Sequence, residues 1–286
     1  MIIARIKGGL GNQLFQYAAG YSLAKRLHQE MSLDISFFSS QTLRGYKLDL
    51  LKIDNRKQIK KIPLQYEVER NKYINKLFRV LHISQVGRND KYLLETKSEI
   101  ISDFFNIEAK NIYLDGYYQS DKYFTEVRYD ILRQFTPMYE FDEEFNSILS
   151  KIRKTNSIAV HVRRGDFVLT QGNSNPNRYV LDKEYYVDAM RKIESLVDDP
   201  VYYWFSDDMD WVKDSFGDNK NFRYISLSTR HPDIDEMMLM KECKHIVTAN
   251  STFSWWAAWM NDKRVVICPK RRYGNIEMIP DSWIKV

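Results

Sequence analysis

The stretch 157–166, SIAVHVRRGD, decides how the rest of the chain is read. Residues 158–162 are a short apolar, β-branched run, the signature of a buried strand. The run stops abruptly at Arg163-Arg164-Gly165-Asp166. Two guanidiniums, a glycine and a carboxylate are costly to place at the end of a buried strand. In open α/β sheets ligands bind outside that carboxyl end, and a planar, permanently charged fork is the usual partner of phosphate oxygens. The stretch therefore points to an anionic, diphosphate-bearing ligand. The competing reading is a surface turn whose arginines are merely solvated. RGD as an adhesion tripeptide would need an exposed loop tip.

Downstream the pattern alternates. Strands are expected at 158–162, 201–205, 222–225, 245–248 and 265–268, with helices near 182–197, 208–216, 233–242 and 251–260. Such βαβ alternation predicts a parallel, doubly wound sheet. Upstream, residues 2–6 read as a strand, 7–13 (KGGLGNQ) as a glycine-rich turn and the following residues to about 27 as a helix, with a strand at 31–35. The expected architecture is α/β, two Rossmann-like domains facing across a cleft, residues 1–150 and 151–286. The polar, helix-like stretch 140–154 is the expected linker. Between them, Tyr46, Leu48, Leu50 and Ile53 suggest an extended segment. Residues 70–83 (RNKYINKLFRVLHI) read as a basic amphipathic helix, packed on its own domain or lying on an anionic membrane surface. A strand at 111–118 and a helix to about 135 close the first half.

Three polar clusters fall at carboxyl ends of strands in the second half: Arg163-Arg164-Gly165-Asp166, Ser206-Asp207-Asp208 and Asn250-Ser251-Thr252-Phe253. Singly, the last two are also what helix N-caps look like. Together on one sheet edge they describe a nucleotide site: arginines for the diphosphate, a carboxylate for ribose or base, hydroxyls and helix N–H groups for phosphate oxygens. The Gly8-Gly9 turn is the weaker signal. Gly9 and Gly11 fit a dinucleotide fingerprint, with Asp34 as the ribose acid, but Leu14 stands where the third glycine belongs. A tight turn with a buried Asn12-Gln13 pair explains it equally well.

The whole chain sets bounds. Its 286 residues allow two ordinary domains, and 44% hydrophobic with 28% charged residues describes a globular protein. A net charge of +5 is too mild for a nucleic-acid partner and suits an anionic small ligand or membrane surface. Cys243 and Cys268 alone make no disulfide framework and fit a reducing compartment. Neither a signal peptide nor a run of about 20 apolar residues is seen, so the expectation is a cytoplasmic protein. Asp207 and Asp208 are adjacent rather than spaced, and His28, His82, His161, His231 and His245 show no ligand spacing, so no metal is expected. His161, inside the strand, reads as a satisfied core histidine. P-loop and G-x-S-x-G signatures are absent.

Residues 8–18 (GGLGNQLFQYA), 115–124 (DGYYQSDKYF), 161–167 (HVRRGDF), 206–208 (SDD) and 250–256 (NSTFSWW) together resemble the bacterial α-1,2-fucosyltransferases of glycosyltransferase family 11. The matches run in family order from residue 8 to residue 256. The H-x-R-R-G-D element alone is shared with α-1,6- and protein O-fucosyltransferases, and so implies GDP-fucose rather than an acceptor. The resemblance implies a GT-B architecture and metal-independent, inverting transfer from GDP-β-L-fucose, with no cofactor. The acceptor would be a galactose-terminated oligosaccharide or lipid-linked glycan, met in the cytoplasm or at the inner membrane face.

On that resemblance Arg163 and Arg164 meet the leaving diphosphate. His161, Asp207, Asp208, Asn250, Ser251, Thr252 and Phe253 are expected around the donor, and Gly8, Gly9, Asn12 and Gln13 reach it from the first domain. Asp115, Tyr117 and Gln119 are expected on the acceptor. Inversion calls for a general base beside the acceptor hydroxyl. Asp166 leads, with Asp115 or His161 as alternatives, and Asp166 serves equally as the partner that orients Arg164. Two other classes stay open: a dinucleotide-dependent oxidoreductase built on the N-terminal glycines, and a binding module that kept the fold and lost the chemistry.

Overall fold

The computed structural model describes residues 1–39, 45–55, 57–61, 90–95, 100–165, 168, 179–261, 265–270 and 278–286. The expected helix at 70–83 lies outside them, as do Asp166 and Phe167. The chain divides into two units, Met1–Met138 and Tyr139–Val286.

In the first unit, among the described residues, five parallel strands form one sheet: β1 (Ile2–Arg5), β2 (Met31–Asp34), β3 (Gln58–Ile59), β4 (Asp90–Leu94) and β5 (Asn111–Asp115). Their order is β3-β2-β1-β5-β4. A parallel sheet is covered on both faces, so its central strands are continuously apolar, as Ile2, Ile3 and Ala4 are here. The order reverses between β1 and β5, and such a switch point opens a crevice at the carboxyl ends.

Helix α1 (Leu10–Arg26) leaves β1 through Gly8, whose φ of +81 suits only glycine. Of its 17 residues 13 are buried, which is why no clean apolar stripe marks it. Gly20, not position 14, lets it approach the sheet: a Cβ there would lie 2.8 Å from both Ala4 Cβ and Met31 Sδ. Two short helices follow, α2 (Asp103–Asn106) and α3 (Arg128–Gln134).

Three expectations need correction. The segment around Tyr46, Leu48, Leu50 and Ile53 is not extended but carries a 3₁₀ turn at Leu48–Leu50, because its buried residues Leu48 and Leu51 are three apart. β5 ends at Asp115, and the chain then turns at Gly116 and Tyr118 instead of continuing to 118. The helix-like stretch expected as a linker is indeed a helix, α4 (Glu143–Arg153), capped by Asp142, which accepts the Phe145 N–H at 3.0 Å, but it is not a linker. Its Phe145 and Ile152 are buried, so it belongs to the second unit, and the division falls at Met138/Tyr139 rather than at 150.

The second unit continues with β6 (Asn156–Val162), α5 (Lys183–Glu194), β7 (Pro200–Ser206), α6 (Met209–Phe216) and β8 (Phe222–Tyr224). After these come α7 (Pro232–Glu242), β9 (His245–Val247), α8 (Thr252–Trp259), β10 (Val266–Cys268) and β11 (Ile284–Lys285). Among the described residues all its strand pairs are parallel, in the order β11-β10-β9-β6-β7-β8. Ile158, Val160 and Val162 of β6 pack with Tyr186, Trp204 and Ile267 in its core. Here the order reverses between β6 and β9. Cys243 and Cys268 are both buried. Among the described residues no helix is long and apolar enough to cross a membrane.

Candidate active site

The register of β6 on β7 builds the first cluster. Val162 pairs with Ser206, so the two arginines that follow one strand emerge beside the two aspartates that follow the other. Arg163 Nη1 lies 2.8 Å from Asp207 Oδ2, and Asp207 Oδ1 accepts the Arg164 backbone N–H at 2.8 Å. Arg164 Nε donates to Asp208 Oδ2 at 3.1 Å, and its guanidinium stacks on Trp211, 4.0 Å from the ring centroid. Asp208 also caps α6 by accepting the Trp211 N–H at 3.2 Å. Gly165 is required by this arrangement, for a Cβ there would lie 2.4 Å from Asp207 Oδ2. Both arginines are thus aimed by carboxylates that the sequence reading had assigned to the ligand.

The switch point brings the third cluster alongside. β9 runs into Asn250 and Ser251, both buried, and Ser251 caps α8 by accepting the Phe253 N–H at 3.2 Å. Thr252 opens the helix, Ser254 Oγ accepts the Ala249 N–H at 3.2 Å, and the Phe253 ring meets buried His161 at 5.5 Å between centroids. The first turn of α8 carries no acidic residue, which keeps this positive helix end suited to an anion.

Glu236, on α7, was missed in the sequence. Burial, then the charges of Asp233 and Asp207, push its carboxyl up to about 7. In the run Pro232-Asp233-Ile234-Asp235-Glu236 it passes for one more acid in a first helical turn. Trp211 was missed as well, although it stands three residues after Asp208.

In the first unit the switch point gathers a separate set. Asp115, buried at the end of β5, accepts from Arg5 Nη1 at 2.6 Å, Lys7 Nζ at 2.7 Å and Tyr92 Oη at 2.8 Å. Burial opposes its charge, but Lys7 and Arg5 outweigh that and hold the carboxyl below the usual range. A buried carboxylate with both oxygens engaged is a poor general base, so that alternative falls. Asn12 Oδ1 accepts from Gln119 Nε2 at 2.8 Å, and Lys7 Nζ lies 5.0 Å from the centroid of exposed Tyr117. Gln13 is not part of this set. It is buried, donating to Gly8 O and Gly45 O and accepting the Lys47 N–H at 2.9 Å, so it ties loops together and does not reach a ligand. Gly9 begins α1 with open space around it.

Asp34 is fully buried, accepting from the Tyr113 hydroxyl and the Ser36 N–H. It cannot hold a ribose, which removes the dinucleotide reading. Among the described residues no three His, Cys, Asp or Glu side chains group as metal ligands would.

The family model of glycosyl transferase family 11 matches residues 1–277. An α-1,2-colitosyltransferase of Escherichia coli is 29% identical over 299 residues, covering 100% of this chain and 99% of that protein. The O-antigen biosynthesis glycosyltransferase WbnK of Escherichia coli is 31% identical, covering 98% of this chain and 99% of its own. The crystal structure of fucosyltransferase NodZ from Bradyrhizobium matches with TM-score 0.51 at 14% identity, over 90% of this chain and 91% of NodZ. NodZ soaked with GDP-fucose gives 0.50. The fold is α/β of the GT-B class, built from two parallel-sheet units.

Proposed function

The chain belongs to glycosyl transferase family 11, and from that premise we propose that it transfers L-fucose from GDP-β-L-fucose, with inversion and without a metal, to the 2-hydroxyl of a terminal galactoside. The observation that carries this reading is the pair Arg163 and Arg164, each held by its own aspartate at the switch point of the second sheet. As the bond to fucose breaks, negative charge grows on the GDP leaving group, and preorganised cations stabilise it without reorganising. The capped N-terminus of α8, with Ser251 and Thr252, adds donors on the same edge. Asp207 and Asp208 are occupied by the arginines, so reading the ribose hydroxyls or the guanine edge falls to Glu236. Asp166 is the general base in this proposal, with His161 the alternative.

The relatives support parts of this. The α-1,2 linkage agrees with the colitosyltransferase, and an acceptor in a bacterial surface glycan with the O-antigen enzyme. The colitosyltransferase also favours a second reading of the donor, since colitose is fucose without its 3-hydroxyl. Offering GDP-fucose and GDP-colitose side by side decides between the two sugars.

The direct test is GDP release from purified protein given GDP-fucose, with and without lactose, in buffer containing EDTA. Lactose-stimulated release in EDTA is the expected result. Release that ignores lactose redirects the acceptor. Absence of GDP binding by calorimetry overturns the donor site itself.

A further inference from the structure

Arg163 and Arg164 carry the same charge but are held differently. Arg163 meets Asp207 through a terminal nitrogen, Nη1, at 2.8 Å, whereas Arg164 meets Asp208 through the inner Nε at 3.1 Å. Among the described residues, neither Nη1 nor Nη2 of Arg164 makes a hydrogen bond, and its side chain keeps 19% exposure. Those two nitrogens are the end of the fork that takes two oxygens of one phosphate. Asp208 thus holds the guanidinium while leaving that end to a ligand.

One hydrogen bond does not fix a plane, since the group can still swing about the Nε–H···O axis. The second constraint is Trp211, whose ring centroid lies 4.0 Å from Arg164 Cζ, well inside the roughly 6 Å over which a ring face attracts a cation. The same carboxylate places the ring. Asp208 Oδ2 takes the Arg164 Nε–H, while its Oδ1 accepts the Trp211 backbone N–H at 3.2 Å and opens α6. From there the partly buried indole packs against the core of the second unit and meets the Phe216 ring edge-on, 6.1 Å between centroids. Stacking uses the face of a guanidinium and leaves its in-plane N–H groups available. Arg164, Asp208 and Trp211 therefore close a triangle from which only the terminal nitrogens of the arginine project uncommitted.

We infer that Trp211 is a positioning residue for the transfer: it fixes the plane of Arg164, so that the terminal N–H groups offer a preorganised bidentate contact to the donor diphosphate. The inference rests on the donor reading above and adds a residue to it. It also makes position 164 specific for arginine, because lysine carries the charge without a planar face or a fork.

The test uses the full chain, with GDP binding followed by calorimetry and circular dichroism as the fold control. Trp211→Phe keeps an aromatic face and should bind GDP within about threefold of the parent. Trp211→Leu and Trp211→Met stay apolar but have no such face, and each should lose about tenfold in affinity. Arg164→Lys should lose at least as much despite keeping the charge. In an Arg164→Ala background the further change Trp211→Leu should cost less than about twofold, since the ring acts through the guanidinium. Folded Leu and Met variants that bind GDP as the Phe variant does overturn the inference and leave the donor site standing. An equal loss with and without Arg164 assigns Trp211 to packing alone and overturns it as well. A parent protein that binds no GDP overturns the donor reading, and this inference falls with it.

Discussion

Glu236 titrates near neutrality because burial and two nearby aspartates disfavour its charge. A carboxyl raised in the fold stabilises it fully below the ordinary value of 4.5, and that contribution is lost as pH rises through about 7. Glu236→Gln should therefore flatten the fall in melting temperature over that window, measured across a pH series. Asp115 has the opposite sign. Its depressed carboxyl stabilises above the ordinary 3.8 and loses that contribution as pH falls through its folded value. Asp115→Asn leaves Arg5 and Lys7 without their partner and should cost about 3 kcal/mol in urea unfolding near neutrality, with a smaller gap between the proteins in acid. Arg163 is partly exposed and paired with Asp207 at the end of β6. Arg163→Ala should reduce transfer by at least about 10²-fold, as loss of a preorganised charge does, with the far-ultraviolet spectrum unchanged. A folded variant with near-normal turnover would end the diphosphate role.

Among the elements, the junction of β6 with β7 is closely fitted. The carboxylate of Asp207 occupies the space that a side chain at residue 165 would need. Gly165→Ala should displace it, loosen Arg163 and the Arg164 backbone, and lower transfer about 10²-fold. Stability should fall by only about 1–3 kcal/mol in denaturant titration, the usual cost of a small overpacking. This strand pair was also the most legible part of the sequence, since both strands carry seven residues and end in charged clusters that no core accepts. β3 and β11 have two residues each. They were not legible, because so short a run shows no period and pairing alone makes it a strand. The 3₁₀ turn at Leu48–Leu50 misled for the related reason that a few apolar residues fit more than one spacing.

At the scale of the molecule, each unit has its own sheet, and all described strand pairs stay within a unit. The proposed donor residues lie in the second, after β6, β7 and β9 and on α7 and α8. Residues 139–286 produced alone should unfold cooperatively and bind GDP, with transfer requiring the full chain. Calorimetry and the GDP-release assay on the fragment check both halves of that statement. A fragment that folds without binding GDP would place part of the donor site in residues 1–138.

The sequence by itself determined the fold class, through strand–helix alternation that only a parallel sheet satisfies. It also determined which residue types follow the strands of the second sheet: arginines, paired aspartates and a hydroxyl-bearing helix start. Only the tertiary structure decided how those groups are used. The β6–β7 register turns Asp207 and Asp208 onto the arginines, and the crossover of α7 brings Glu236 toward them. Hydrogen bonds inside the first unit engage Gln13, Asp34 and Asp115. Partners, burial and charge environment are set by residues distant along the chain, and no local pattern encodes that distance.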